Sequence, residues 1–325
     1  MVHAIRFHQA GGPEVLKWEE VDVDNPGPGQ VKIRQSAIGL NFIDTYHRSG
    51  LYPVPDLPCI PGMEGAGVVE SVGEGVTSFS PGDRVAYAGG PIGAYAEVRL
   101  MPADKLVPLP SWIDDKQAAA MMLQGMTAQF LLRSCYAVQP GETILVHAAA
   151  GGVGLILCQW ARKLGATVIG TVGSDEKAEL ARENGCTHPI VYSRENFVER
   201  VKEITGGAGV PVVYDSVGKD TFMNSLDCLR LRGLMVLFGQ SSGAVPPVDL
   251  GILAAKGSLY VTRPTLFSYT TKREDLMTCA ADLFDVVHSG DVKIEVRQTF
   301  PLRDAAEAHR ALHARATKGS SLLLP

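Results

Sequence analysis

The stretch from Thr143 to Ser174, TILVHAAAGGVGLILCQWARKLGATVIGTVGS, constrains the fold of this chain more than any other. An apolar run of strand length enters Gly151, Gly152 and Gly154, and an apolar run of helix length leaves them. Gly151 and Gly154 hold the second and third glycine positions of G-x-G-x-x-G. There the absent side chain lets the backbone approach a pyrophosphate and lets helix pack closely on strand. The helix amino terminus then offers unpaired N–H groups to the anion. Ala149 takes the first glycine position, so this turn has to accommodate a Cβ. With a second strand following in ATVIGTV, the loop sits inside a βαβ unit. Ala150, Gly151, Gly152, Val153 and Gly154 are therefore the expected dinucleotide loop.

The region around this unit is written in the same way. TILVHA, ATVIGTV, PIVY, VPVVYDSV, GLMVLFG and SLYVT alternate with helical segments, and six strands suit a doubly wound sheet. Up to about Pro110 the writing differs, with short alternating runs such as VKIRQSAIGL, AGVVESVGEGV and DRVAYAGG cut by Gly and Pro, the mark of a β-rich domain with tight turns. After Pro264 come a helix (REDLMTCAADLFDVVHSG), a strand (IEVRQTF), a helix (LRDAAEAHRALHARA) and a strand (SSLLLP). Two short strands make a poor core alone, so this tail is expected to pack back on the first domain. The chain of 325 residues thus reads as α/β: a Rossmann doubly wound parallel sheet over residues 125–266 and a β-rich domain from residues 1–124 and 267–325.

The end of the second strand decides which dinucleotide fits. An NAD site usually carries Asp or Glu about 20 residues past the glycines, where the carboxylate takes the ribose 2′-hydroxyl. Counted from Gly154 that position is Ser174. A hydroxyl, the Gly173 amide and the nearby Lys177 suit a 2′-phosphate that a carboxylate would repel, so NADPH is expected. Ser174 also reads as the N-cap of DEKAELARENG, a role compatible with an anion site. Asp175 and Glu176 are expected to point away in the first turn. Tyr192 and Arg194 follow the third strand, where they can cover the adenine or add positive charge; Ser216 and Val217 follow VVYD on the adenosine side. Phe238, Gly239, Gln240, Ser241 and Ser242 follow GLMVL and should face the nicotinamide or its ribose, because ligands bind outside the carboxyl ends of parallel strands. Asp215 is expected to order its loop rather than to act as an acid.

Charge and composition exclude other classes. A net charge of -5 with scattered basic residues gives no field for nucleic acid or an acidic membrane surface. No window approaches the ~20 apolar residues of a membrane helix, and the start MVHAIRFHQAGGPEV has no leader pattern, which reads as a cytoplasmic protein. Cys59, Cys135, Cys158, Cys186, Cys228 and Cys279 form no C-x-x-C pair and read as reduced packing residues, with reactivity the alternative at Cys59.

GLNFIDTYHRSGLYP, PGMEGAGVVESVGEGV, PGDRVAY, HAAAGGVG, VVYDSVG, GLMVLFGQSSG and KGSLYVTRP together resemble the medium-chain dehydrogenase/reductase superfamily. Within it they resemble the zinc-free NADPH:quinone oxidoreductases related to zeta-crystallin. The resemblance implies that the first domain is GroES-like and that Asn41, Tyr46 and Tyr52 line the acceptor cleft as catalytic residues, with Asn41 and Gln124 also near the cofactor. It further implies that Arg263 and Arg315 reach cofactor or substrate, and that the protein is a homodimer joined through the Rossmann edge strand GSLYVTRP. Zinc alcohol dehydrogenases of the same superfamily carry a ligating cysteine where this chain has Asn41 and a ligating histidine where it has Met63. An amide and a thioether hold catalytic zinc poorly, His47 and Glu64 alone do not replace them, and no metal is expected. The barrier then falls through positioning against an acceptor that takes hydride readily. The resemblance implies NADPH:quinone reduction. An NADPH-dependent enone or enal reductase is the alternative, and a cofactor-binding protein with little turnover is a third reading that the intact cleft residues disfavour.

Overall fold

The computed structural model describes residues 1–325. The chain divides into two compact units, residues 1–126, 270–280 and 294–325 in one and residues 127–269 and 281–293 in the other. The short alternating runs become β1 (Val2–Arg6), β2 (Lys17–Val21), β3 (Gln30–Leu40), β4 (Glu64–Val72), β5 (Arg84–Ala88), β6 (Val98–Pro102) and β7 (Val107–Pro108). The middle section supplies β8 (Thr143–Val146), β9 (Thr167–Val172), β10 (His188–Val191), β11 (Val210–Asp215), β12 (Leu229–Leu237) and β13 (Tyr260–Thr262), and the tail β14 (Val296–Pro301) and β15 (Ser320–Leu324). Seven helices bear on the sites: α1 (Phe42–Ser49), α2 (Met122–Phe130), α3 (Gly152–Lys163), α4 (Asp175–Glu183), α5 (Phe222–Leu226), α6 (Arg273–His288) and α7 (Ala305–His313).

In the first unit β3 organises the sheet. Its opposite halves share one edge between β6 and β15, while β4 runs along the other edge, all antiparallel. Burial along β3 alternates at first and becomes continuous over Ala37–Leu40, where the strand is covered on both faces. That covered end delivers Asn41 and α1. Ile33, Ile38, Val85, Tyr95, Leu302 and Leu323 belong to the core of this unit, so the tail strand and its helix pack where the sequence puts them.

In the second unit the order is β10-β9-β8-β11-β12-β13, every pair parallel. Ile144, Leu145, Val146, Val212, Val213 and Tyr214 are fully buried, as expected of a parallel sheet covered on both faces. The order reverses between β8 and β11, and ligands of such sheets bind at that switch point, outside the carboxyl ends. The glycine loop follows β8 and Ser216 follows β11.

The tail departs from the sequence expectation in one segment. Residues 281–293, expected with the first domain, group with the parallel-sheet unit. The Gln159 side chain exchanges two hydrogen bonds with the Lys293 backbone, at 2.8 and 3.2 Å, Gln129 donates to Asp282 at 2.8 Å, and Lys163 pairs with Asp291 at 2.7 Å. No disulfide forms. Burial and the nearby Asp56 push the Cys59 thiol up to about 11, which answers the question of its reactivity in favour of packing.

Candidate functional site

The glycine loop fits a dinucleotide through the volume it leaves empty. After β8 the chain turns through Ala148, whose φ of 52° lies in the left-handed region that costs an alanine about 1–2 kcal/mol. The Cβ problem expected at Ala149 thus falls, as backbone strain, one residue earlier. Ala149 has a different neighbour: its N–H donates to Thr171 O at 3.0 Å, and a β-carbon on Gly170 would come within 2.6 Å of its methyl. Gly170 on β9 therefore makes room for the alanine that replaces the first glycine. A β-carbon on Gly154 would run into the Ala148 carbonyl, so this position admits glycine alone. Gly151 caps α3, a helix of 12 residues with no acid in its first turn, and the first-turn N–H groups have no partner within the helix. These are the requirements of a pyrophosphate.

At the end of β9, Ser174 caps α4 and its Oγ accepts from Lys177 N at 3.3 Å. Tyr192 stands over Gly173, where a β-carbon would meet its hydroxyl at 2.9 Å. Asp175 lies beside this group and is held by Arg194 in a two-point ion pair at 2.7 and 2.5 Å. The guanidinium keeps the Asp175 carboxyl below its ordinary range, and the carboxylate raises Arg194 in turn. Arg194, expected to cover adenine or add positive charge, is paired instead with Asp175, one of the two acids in the first turn of α4.

Ser216, Phe238, Gly239 and Ser241 come together at the carboxyl ends of β11 and β12. Phe238 and Gly239 donate to Asp215 O at 2.8 and 3.3 Å, Ser241 N donates to Ser216 O at 3.1 Å, and a β-carbon on Gly239 would lie 2.7 Å from that carbonyl. Asp215 is buried and orders its loop, its Oδ1 accepting from Val217 N at 2.7 Å and Gly218 N at 3.1 Å. Arg263 is exposed just past β13, and its Nη1 donates to Pro264 O at 3.4 Å. Arg315 is exposed in the turn after α7, with φ at 55°.

In the first unit the acceptor-side candidates rest on a buried polar network. Asn41 caps α1, and Glu64 Oε2 accepts from its Nδ2 at 2.7 Å while Gln124 Nε2 donates to its Oδ1 at 3.2 Å. Glu64 Oε1 accepts from Leu123 N at 2.7 Å, and Ser320 on β15 donates to Gln124 Oε1 at 2.7 Å. Asn41 and Gln124 are thus brought into direct contact. Both Glu64 oxygens face N–H donors, Leu123 N at Oε1 and Asn41 Nδ2 at Oε2, and the amide orientations follow from these bonds outward. One Nδ2 hydrogen of Asn41 stays available for a ligand. Gly39 is required here too, since a β-carbon would strike Glu64.

Beside it, Asp44 Oδ2 accepts from Asn41 N and from the Tyr95 hydroxyl, both at 2.9 Å. Arg48 Nη1 lies 2.9 Å from His309 Nδ1, and because arginine only donates, His309 carries its proton on Nε2, 3.0 Å from Tyr95 Oη. Burial dominates the titration of this cluster: it pushes Asp44 up to about 7 and Glu64 up to about 8, and together with Arg48 it pushes His309 down to about 3. On α1 and the loop after it, Tyr46 and Tyr52 meet edge to face at 5.1 Å, and Tyr52 N donates to Tyr46 O at 3.0 Å. The sequence reading missed Arg48, Tyr95, His309 and Ser320. Their partners lie up to 261 residues away, and no local pattern marks them.

No three His, Cys, Asp or Glu side chains gather as a metal-holding group, and at Asn41 the amide nitrogen already faces a carboxylate. No helix is long and apolar enough to cross a membrane.

Two protein families match the two parts of the chain separately. The "Alcohol dehydrogenase GroES-like domain" family matches residues 27–111 and the "Zinc-binding dehydrogenase" family residues 152–284. A GroES-like unit with a glycine-loop parallel sheet is the scaffold of the medium-chain dehydrogenase/reductases. A quinone oxidoreductase of Pseudomonas aeruginosa is 58% identical over 325 residues, covering all of both chains. The crystal structure of the Escherichia coli quinone oxidoreductase complexed with NADPH superposes with a TM-score of 0.98 at 54% identity, covering 99% of this chain and 100% of that one. A 2-haloacrylate reductase from a Burkholderia species is 52% identical over 334 residues, covering 100% of this chain and 99% of its own. The chain belongs to the zinc-free quinone oxidoreductase family of that superfamily.

Proposed function

We infer that this protein is an NADPH:quinone oxidoreductase, and the observation that carries the reading is its full-length identity of 58% to a quinone oxidoreductase. When bound, NADPH supplies the hydride. Ala150 to Gly154 and the α3 amino terminus hold the pyrophosphate, while the Gly173 amide, Ser174 and Lys177 take the 2′-phosphate, with Tyr192 beside them. Phe238, Gly239 and Ser241 serve the nicotinamide and its ribose, Ser216 serves the adenosine side, and Arg263 and Arg315 make outer contacts. Asn41, Tyr46 and Tyr52 receive the acceptor: the free Nδ2 hydrogen and the phenols hydrogen-bond its oxygen, and the paired rings present an aromatic face. Gln124 acts by holding Asn41. Positioning lowers the barrier in such a site, because Asn41 and Met63 offer no adequate ligands for a Lewis acid, and this limits the acceptor to conjugated, easily reduced molecules.

An NADPH-dependent enone or enal reductase is the second reading, favoured by the 52% identity to a 2-haloacrylate reductase. The protein works in the cytoplasm as a homodimer. Support for the dimer is that β13 is an edge strand with one neighbour, exposing Tyr260 by 61% and Val261 by 39%, an apolar border that a second copy would cover. NADPH oxidation by chelator-treated protein against 1,4-benzoquinone, a simple enone and a simple ketone tests the reading. Turnover is expected with the quinone and not with the ketone. Loss of quinone turnover on chelation, recovered by added zinc, would overturn it.

A further inference from the structure

The carboxyl ends of β8, β9 and β11 are joined by a buried side-chain knot. His147, 1% exposed, directly precedes the glycine loop, with Nδ1 2.8 Å from Thr171 Oγ1 and Nε2 2.9 Å from Ser225 Oγ. Ser225 on α5 reaches Asp215 Oδ2 at 3.2 Å, and Thr221 reaches the same oxygen at 2.7 Å. Phe197 packs edge to face on the imidazole at 5.0 Å.

The carboxylate fixes every proton in this knot. Ser225 donates its one hydroxyl proton to Asp215 Oδ2. Ser225 then accepts from His147, whose Nε2 carries the hydrogen, and Nδ1 accepts from the Thr171 hydroxyl. Burial keeps the imidazole neutral against the pull of Asp215, which is the form this bonding requires. Backbone bonds extend the knot to both loops: His147 N donates to Tyr214 O at 2.9 Å and Ala149 N to Thr171 O at 3.0 Å, while Asp215 Oδ1 holds the amides of Val217 and Gly218.

We propose that His147 is a positioning residue for NADPH. By bridging Thr171 to Ser225 and Asp215, it holds the glycine loop and the Ser216–Gly218 loop at the spacing at which both contact the dinucleotide. This rests on the dinucleotide reading of those two loops.

The test is an equilibrium titration of NADPH fluorescence with the full-length protein and its His147→Ala, His147→Gln, Thr171→Val and Ser225→Ala variants, each checked for a cooperative thermal transition. An unpartnered buried donor or acceptor costs about 1–3 kcal/mol, so His147→Ala is expected to raise the NADPH Kd about tenfold. In the same variant kcat at saturating NADPH and the KM for 1,4-benzoquinone should stay within about twofold of wild type. His147→Gln, which keeps an N–H for Ser225, should recover most of the affinity, with Thr171→Val and Ser225→Ala in between. A folded His147→Ala with unchanged Kd overturns the proposal, as does a loss shared equally between kcat and both KM values. If His147→Ala fails to fold, Thr171→Val decides, since it deletes one donor at nearly constant volume; an unchanged Kd there overturns the proposal. Wild-type protein that binds no NADPH overturns the cofactor reading and this proposal together, whereas an unchanged variant Kd overturns the proposal alone.

Discussion

The two units build their surfaces in opposite ways. In the parallel-sheet unit the surface is made of side chains that are missing: Gly154 against the Ala148 carbonyl, Gly170 against Ala149, Gly239 against Ser216. In the antiparallel unit it is made of side chains that are buried, with Glu64, Asp44, His309 and Arg48 each at most 1% exposed and together holding Asn41 and α1 in place. A surface of the first kind accepts a change of chemistry but not of volume. One of the second kind depends on its count of donors and acceptors, because each buried polar group has to keep a partner.

Gly154→Val attacks the first kind where it is tightest. Extra carbons in a closed space cost about 1–3 kcal/mol or more, and here they land on the loop itself, so NADPH affinity should fall by about 100-fold with the thermal transition retained. Normal binding by this variant, read by fluorescence titration, would break the contrast. Glu64→Ala attacks the second kind by leaving the Asn41 amide and Leu123 N without an acceptor; a loss of about 2–4 kcal/mol of stability is expected by chemical denaturation. Glu64→Gln, which keeps one acceptor, should lose less. If the two variants are equally stable, hydrogen-bond count is not what this unit depends on.

The pH response sharpens the same point. Asp44 and Glu64 have folded values of about 7 and 8, above their ordinary 3.8 and 4.5, so the folded state binds their protons more tightly than the unfolded state. Their contribution to stability is complete in acid and is lost as pH rises through about 7 to 8. His309 works the other way: its value is depressed from 6.5 to about 3, so its contribution is present above 6.5 and is lost as pH falls toward 3. The carboxyls should therefore make thermal stability decline between about pH 4 and 8 and level off above that, and Glu64→Gln should flatten the decline. A steeper decline over this range in the variant would contradict the burial argument. The smallest effect belongs to the open rim of the cofactor surface. Lys177→Ala should raise the KM for NADPH by about five- to tenfold, the worth of one charge-assisted bond of about 1 kcal/mol, and leave the KM for NADH unchanged. An equal effect on both would remove Lys177 from the 2′-phosphate.

The parallel sheet was legible because its signals are local: a glycine loop after an apolar strand fixes β8, and the strand and helix periods then follow in order. What escaped depends on distance along the chain. The sequence shows that Asp175 is acidic but not that Arg194, 19 residues on, pairs with it. The motif counts glycine positions and carries no dihedral angles, so it put the difficulty at Ala149 when the strained backbone is at Ala148. The helical period of α6 runs unbroken from Arg273 to His288, so nothing in it marks the change of unit after Ala280. Glu64 could be read as structural, yet that it binds Asn41 is visible only once β4 lies beside β3.

The place of β15 has a consequence for how this chain is made. It follows every other strand in the chain, yet it lies between β14 and β3, with Ser321–Leu323 paired to Ile38–Leu40. Residues 127–269, which contain every strand of the parallel sheet, form one unbroken stretch that is synthesised before β14 and β15. At about 5–20 residues per second, the apolar edge of β3 waits roughly 15 to 55 seconds for its partner. The amino-terminal unit is thus begun first and finished last, and in the nascent protein its open β3 edge is the segment most exposed to mispairing.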